Sequence, residues 1–447
     1  MGTAAVSKKS TGKVPMLIML MLIYIVTYSY AATSISALTP YIASTISGVP
    51  LADVVTSGTQ AGVTAAISAL PLGIACFTFV AGVLMDKLST RIVMFAAILF
   101  CGVAIFLRAA NSFEMLWASM FLLGIGQAFV FPACTKVIAS WFDRNEIYKF
   151  QGVLISAAPI GMIMGFNTSV PIQNLIGWQN IYRVLAVAAV IMAFVWLLIA
   201  RDKKAEDVPL NQELDIDVTQ NSVLANLKAS LGSFQAWCLF LGEALYSGMI
   251  QTMIGLGSPI LGSFLGADVA AGKLTGEAAN KLGAFASSCG NLGSLIGYYF
   301  LPPIAEKVGL RKIFIWPSMI INALCLIIAF ASGNIWIALI FFFVGYFFNG
   351  WSIPGPRSML VESPGIAGMR AGTAYGVMLT LARLAAFGMP LLYSFINSLI
   401  GNMYISIMVI AAFAIVSAVF IMLAKETGMG REAAKKLQEE KKAQAQG

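Results

Sequence analysis

Two ionisable side chains stand deep inside apolar stretches of this sequence, and they carry opposite charges. Arg383 lies in YGVMLTLARLAAF, 13 residues beyond Arg370. Along a helix that separation is ~20 Å at the usual rise per residue, near the midplane of a hydrocarbon core ~30 Å thick. A guanidinium at that depth cannot easily reach water, stays protonated, and offers a planar fork that matches a carboxylate. Glu243, in LFLGEALYSGMIQ, is the only one of the 20 Asp and Glu residues placed deep in an apolar stretch. Burial favours its neutral form and a nearby cation its charged form, so it could exchange a proton as its surroundings change. Two readings stay open. Arg383 anchors a substrate carboxylate while Glu243 carries a coupling proton, or the two form a permanent ion pair.

Uncharged polar and aromatic residues fall at similar depth. Tyr28, Gln127, Tyr246, Gln251, Asn291, Tyr346 and Trp351 join Arg383 as substrate-binding candidates, with Tyr30 and Asn349 beside them. Binding pockets combine apolar walls with a few oriented polar groups, although each of these residues taken singly suits a helix–helix contact as well. The chain has no histidine, which removes a histidine proton relay, His-containing zinc sites and Ser-His hydrolysis together. Its six cysteines (Cys76, Cys101, Cys134, Cys238, Cys289 and Cys325) fall in apolar stretches without a C-x-x-C pair. They read as small core residues. No metal, no cofactor and no enzymatic constellation is expected.

The elements that must position these groups are membrane helices. Of 447 residues, 59% are hydrophobic and 11% charged, with mean hydropathy +0.84. Apolar runs recur near the ~20 residues that span a bilayer as helix, and the short alternating strands of a membrane barrel are absent. The expected fold is all-α, with twelve transmembrane helices in two pseudo-symmetric six-helix bundles. The first bundle takes residues 1–200, a polar cytoplasmic linker 201–232, the second bundle 233–424, and a charged cytoplasmic tail 425–447. The stretch near Val14–Tyr30 lacks an A-x-A cleavage motif and reads as the first span.

Charge placement orients the chain. Twenty-three of the 28 Lys and Arg residues fall on the side of both termini, Arg108, Arg183, Lys273 and Lys281 fall opposite, and Arg383 falls within a span. That is the positive-inside bias of a multi-pass inner-membrane protein with cytoplasmic termini. Lys136, Arg357 and Arg370 read as anchors near cytoplasmic helix ends. The net charge of +8 follows from this topology and implies no nucleic-acid partner.

The halves repeat one another. Asp86-Lys87-Leu88-Ser89-Thr90-Arg91 and Glu306-Lys307-Val308-Gly309-Leu310-Arg311 stand 220 positions apart, as do Gly73 and Gly293. GVLISAAPIG from Gly152 aligns with GVMLTLARLA from Gly376, setting Pro159 opposite Arg383. Internal repeats of this kind mark carriers that rock two halves about a central site. Gly124, Gly126, Gly152, Gly161, Gly165 and Gly293 read as close-packing positions that let helices slide.

The loop Gly82-Val-Leu-Met-Asp86-Lys87-Leu-Ser89-Thr90-Arg91 resembles the G-x-x-x-D-(R/K)-x-G-(R/K)-(R/K) signature of the major facilitator superfamily. Ser89 replaces the usual glycine and Thr90 a base. Trp141-Phe142-Asp143-Arg144-Asn145-Glu146 and Gly177-Trp178-Gln179 resemble two further loops of that family. The base within the eleventh span is similar to one in the oxalate:formate antiporter group and related organic-anion carriers. The resemblance implies alternating access, with Asp86, Arg91, Glu306 and Arg311 as conformational latches and spans one, four, seven and ten lining the cavity. It implies a secondary transporter of a small organic anion, a carboxylate, working as a proton symporter or an anion exchanger. The partners expected are that small-molecule substrate, protons or a counter-anion, and the lipid bilayer, with the chain acting as a monomer. Proton-driven efflux of amphiphilic or cationic compounds is the alternative, and a non-transporting membrane sensor is the alternative of another class.

Overall fold

The computed structural model describes residues 13–51, 54, 59–141, 144–200, 227–228, 230–363 and 371–428. Most of the expected linker and tail therefore lies outside the described residues, as do the side chains of Asp86 and Glu306. Among the described residues the chain is helical and holds no strand. The first half comprises α1 Lys13–Ala37, α2 Gln60–Lys87, α3 Thr90–Leu107, α4 Phe113–Trp141, α5 Arg144–Ile176 and α6 Trp178–Ile199. The second comprises α7 Phe234–Ser263, α8 Gly276–Val308, α9 Lys312–Ala331, α10 Ile335–Leu360, α11 Ala371–Ile400 and α12 Met403–Leu423. Eleven of these are long and apolar enough to cross a membrane. The twelfth, α8, has 33 residues but a more polar composition. Large apolar side chains stand exposed around the outside, Leu175 and Leu198 each at 82%. Such exposure is costly in water and natural against lipid.

Local chemistry sets the helix ends. Ser89, Ser233, Thr275, Asn334 and Asn402 each accept a backbone N–H in the first turn of α3, α7, α8, α10 and α12, the usual N-cap bond. Ser89 is the residue that departs from the signature glycine, and in this chain it starts α3. Gly309 ends α8 in the left-handed region at φ +73°, where other residues are strained.

Buried apolar residues gather in two clusters. One draws on Met16 to Ala200 together with Ala284 of α8; the other draws on Ala236 to Ala424. The repeat seen in the sequence has a packing counterpart. A Cβ on Gly73 of α2 would strike the Phe121 carbonyl of α4 and lie 3.1 Å from Gly124 Cα. Gly293 of α8 stands in the same way against the Phe343 carbonyl of α10. Small residues thus let α2 cross α4, and α8 cross α10, at backbone contact. Gly124, Gly126, Gly161 and Gly165 are equally tight, while the surroundings of Gly152 lie outside the described residues.

Helix α1 is irregular. A π turn over Ile25–Ser29 interrupts it, and Thr27, Ser29, Thr33, Ser34 and Ser36 are all buried without exposed surface. Arg108, counted in the sequence among the bases on the side opposite the termini, braces this helix. It is wholly buried at the end of α3, donating from Nη1 to the Ala31 carbonyl at 2.5 Å and from Nη2 to Met120 Sδ at 2.9 Å. Its guanidinium lies 4.8 Å from the Tyr182 ring centroid, a cation–π contact that offsets part of its desolvation.

Gly73→Ala and Gly293→Ala should each destabilise the fold by ~1–3 kcal/mol, the range for overpacking. Gly376→Ala, with nothing within 4 Å of its Cβ position, should leave the melting temperature of the detergent-solubilised protein near that of the parent. Equal effects at all three positions would contradict the crossing geometry.

Candidate functional site

The buried carboxylate of the chain is paired, and its partner is not the one the sequence suggested. Glu243, one-third of the way along α7, has no exposed surface. Arg357 donates to its Oε1 from Nε at 2.9 Å and from Nη2 at 2.6 Å. Ser247, one turn further along α7, donates to the same oxygen at 3.3 Å. Oε2 is buried and has no hydrogen-bond partner. Arg357 is therefore no simple interface anchor. The break in α10 explains how it reaches the site. The helix is interrupted after Phe347 and again before Pro354, because Pro354 and Pro356 cannot continue the backbone ladder. Arg357 sits on the short helix Pro354–Glu362 that follows, with 32% of its side chain exposed.

Arg383 occupies the middle of α11 and is half-buried. It makes no ion pair or hydrogen bond with any described residue. Its charge acts on both Glu243 and Tyr24, so it belongs to the same central cluster without being held there. Tyr24 meets Tyr28 in a tilted contact with ring centroids 5.0 Å apart, and its ring centroid lies 5.8 Å from that of Phe131. Arg357 in turn acts on Tyr24, Tyr298 and Tyr375. The centre of the molecule thus holds two guanidiniums and one carboxylate from the second half, faced by an aromatic wall from α1 and α4 of the first.

The other candidates divide. Tyr28 joins this wall, and Gln251 follows Glu243 and Ser247 at four-residue spacing on α7, half-buried and unbonded among the described residues. Tyr246 instead donates to Asn349 Oδ1 at 2.5 Å, and Asn349 donates to Ser294 at 3.0 Å, inside the second half. Trp351 donates to the Leu301 carbonyl at 2.6 Å, and Tyr346 stacks on Phe342. Asn291 donates to the Ser287 carbonyl of its own helix at 3.0 Å. Gln127 donates to the carbonyl and hydroxyl of Thr27 at 3.0 and 2.9 Å, joining α4 to α1. Gln127, Tyr246 and Trp351 thus bond from one helix to another, whereas Asn291 bonds within its own helix and Tyr346 stacks on a residue of its own. The residues that sequence reasoning missed are Arg357, Tyr24, Tyr298 and Tyr375; the Pro-Gly-Pro-Arg run was the available signal for Arg357.

On the face that carries the termini, the two latch candidates with described side chains, Arg91 and Arg311, each bond a group of their own half. Arg91 donates to the Leu197 carbonyl. Arg311 pairs with Glu362 at 3.1 Å, while its backbone N–H and that of Lys312 donate to Glu426 at 2.9 Å. Among the described residues, the hydrogen bonds between the halves lie toward the opposite face. Ser36 donates to the Gly255 carbonyl at 2.6 Å, joining α1 to α7, and Asn167 donates to Ser288 at 2.7 Å, joining α5 to α8.

This is the architecture of a multi-pass transporter, with two helical bundles meeting at a polar centre. Residues 20–283 match the Major Facilitator Superfamily, and the chain belongs to that family. A bacterial homologue of the human lysosomal transporter Spinster, solved in an inward-facing and unoccupied conformation, shares the fold. It superposes with a TM-score of 0.69 over 93% of this chain and 97% of that one, at 14% identity. The "Probable galactarate/D-glucarate transporter GudP" of Bacillus subtilis is 25% identical over 26% of this chain and 27% of its own length. The hexuronate transporter of the same organism is 26% identical over 44% and 45%. A lincomycin resistance protein of Streptomyces lincolnensis is 29% identical over 27% and 25%. The chain thus aligns with less than half the length of each of these three relatives.

Removing the partner of a buried charge costs about 3–5 kcal/mol. Arg357→Gln should therefore lower the melting temperature markedly, and adding Glu243→Gln should restore most of the loss. Failure of the double variant to recover stability would show that Arg357 supports the fold by some other contact.

Proposed function

We propose that the chain is a secondary active transporter of small organic anions, carboxylates, working by alternating access and coupled to protons or to a counter-anion. The observation that carries this reading is Arg383, a cation near the middle of a membrane helix that no described protein group neutralises. A charge at that depth is costly to maintain, and an anionic ligand offsets the cost. The surplus is intrinsic to the centre, where two guanidiniums face one carboxylate. The transporters of sugar acids among the relatives support the same class. The resistance protein among them supports efflux of amphiphilic compounds instead, but a net positive centre disfavours a cationic cargo.

In this reading the bonds between α1 and α7 and between α5 and α8 close the extracellular side. The site then opens toward the cytoplasmic face that carries the termini, the state named for the Spinster homologue. Asp86, Arg91, Glu306 and Arg311 would act when that face closes. The protein works as a carrier in the inner membrane and performs no covalent chemistry.

Uptake into liposomes of a panel of labelled carboxylates, with imposed pH and counter-substrate gradients, tests this directly. Arg383→Gln should nearly eliminate binding, by ~2–5 kcal/mol as for a buried charge pair that loses one partner. Arg383→Lys should weaken it less, keeping the charge and losing the fork. Both variants should melt with the parent, since Arg383 holds no protein group. Dye export without carboxylate uptake would establish the efflux reading, and transport of nothing would favour a sensor.

A further inference from the structure

The Glu243–Arg357 pair has a geometry that a purely structural ion pair does not need. Arg357 spends both donors on Oε1, whereas a fork-to-fork pair would use both carboxylate oxygens. Oε2 is left buried and unpartnered, a costly state for an ionised carboxylate. The two partners also differ in access. Glu243 has no exposed surface, while Arg357 keeps 32% of its side chain open.

We infer that Glu243 is a tethered stand-in for a second substrate carboxylate: ionised, it occupies Arg357, and protonated, it yields that guanidinium to a dicarboxylate. This rests on the anion-carrier reading above and adds to it the valence of the cargo and its link to the proton.

Charge accounting around Glu243 selects the cargo. Arg357 faces it from α10 and Arg383 from α11. Among the described residues, the other titratable groups in electrostatic contact with these three are Tyr246 on α7 itself, Tyr24 on α1, Tyr298 on α8 and Tyr375 on α11, phenols that add nothing to the formal charge count. Where α12 packs on α7 beside Gly242 it presents Ser417 and Ile421, which carry no charge. With Glu243 ionised the centre carries two positive charges and one negative, so one substrate carboxylate brings it to neutrality. With Glu243 protonated it carries two positive charges, so neutrality takes two carboxylates. A neutral loaded centre crosses the low-dielectric interior at the least cost. The site therefore accepts a monoanion without a proton, or a dianion with one.

The proton comes from bulk water and bonds to Oε2, the oxygen with a free lone pair. The hydrogen bonds from Arg357 to Oε1 are then exchanged for bonds to the incoming carboxylate, while Arg383 takes the other carboxylate. Release of the dianion lets the proton leave as Glu243 recaptures Arg357. No other bond forms or breaks.

Linkage sets the sign. Dianion binding takes up one proton, so its affinity rises as pH falls, by up to about tenfold per pH unit while Glu243 is ionised in the empty protein. Monoanion binding takes up none and stays flat. The experiment is calorimetric binding to the purified full chain between about pH 8 and pH 6, with D-glucarate and tartrate as dianions and D-gluconate and glycerate as monoanions. The carboxyls of all four are ionised throughout this range. In the parent protein, dianion affinity should rise at least tenfold toward pH 6 and monoanion affinity should change less than twofold. In Glu243→Gln, dianion affinity should be high and independent of pH. A parent-like circular-dichroism spectrum and a monodisperse elution profile of that variant show that its fold is intact. Equal pH dependence for both valences, or a Glu243→Gln variant that binds monoanions but loses dianions, overturns the inference and leaves the anion-carrier reading standing. If no anion binds, or if Arg383→Gln binds them all as well as the parent, the carrier reading falls and the inference falls with it.

Discussion

A guanidinium in a hydrocarbon layer must be met by an anion or reach water, because holding it there otherwise costs several kilocalories per mole. This chain places Arg357 and Arg383 in the central region of its second half, and together they organise the middle of the molecule. Glu243 satisfies Arg357 through one oxygen. The proline-interrupted end of α10 brings the arginine to the glutamate. Arg383 has no such partner among the described residues. The asymmetry between one satisfied and one unsatisfied cation gives the site its sign.

The first half contributes no formal charge to this centre among the described residues, and its role is shape. Tyr24 and Tyr28 of α1 form an aromatic wall with Phe131 of α4, and α1 is itself broken by a π turn, a distortion common at functional sites. The buried hydroxyls of α1 keep that distortion tolerable by bonding backbone carbonyls, as Thr27 does to Ile23 at 2.7 Å and Thr33 to Ser29 at 2.8 Å. Arg108 does the same from outside the helix by bonding the Ala31 carbonyl. A cation in one half serves as a brace because backbone, sulfur and ring surround it. A cation in the other half stays open because nothing does.

The halves contact each other through different chemistry at their two faces. Toward one end, hydroxyl and amide groups bond across the interface at Ser36–Gly255 and Asn167–Ser288, and Gly255 lets Ile67 of α2 approach to 3.0 Å from its Cβ position. At the face of the termini, Arg91 and Arg311 bond inside their own halves. Neutral hydrogen bonds of this kind are each worth about 1 kcal/mol net, a scale at which a bound ligand can shift the balance between two states.

How much of this was legible in the residues follows from what each property depends on. Twelve helices and the alternation of apolar span and polar loop follow from length, composition and backbone chemistry, since a bilayer demands internally bonded backbone. The repeat of Gly73 and Gly293 told of matching helix crossings, because only a missing Cβ permits them. Arg383 stood out because its charge contradicts its surroundings. What the chain order could not express was partnership. Glu243 and Arg357 are 114 residues apart, and only the packing of α7 against the broken end of α10 joins them. The same holds for Arg108, which linear reading assigned only to a side of the membrane and packing buried against α1, and for Tyr246 and Trp351, whose polar atoms are spent within the second half. Depth in a membrane is a one-dimensional property that sequence carries. The face a side chain presents, and which charge meets which, are set by helix rotation and crossing, and those are decided only when the helices pack.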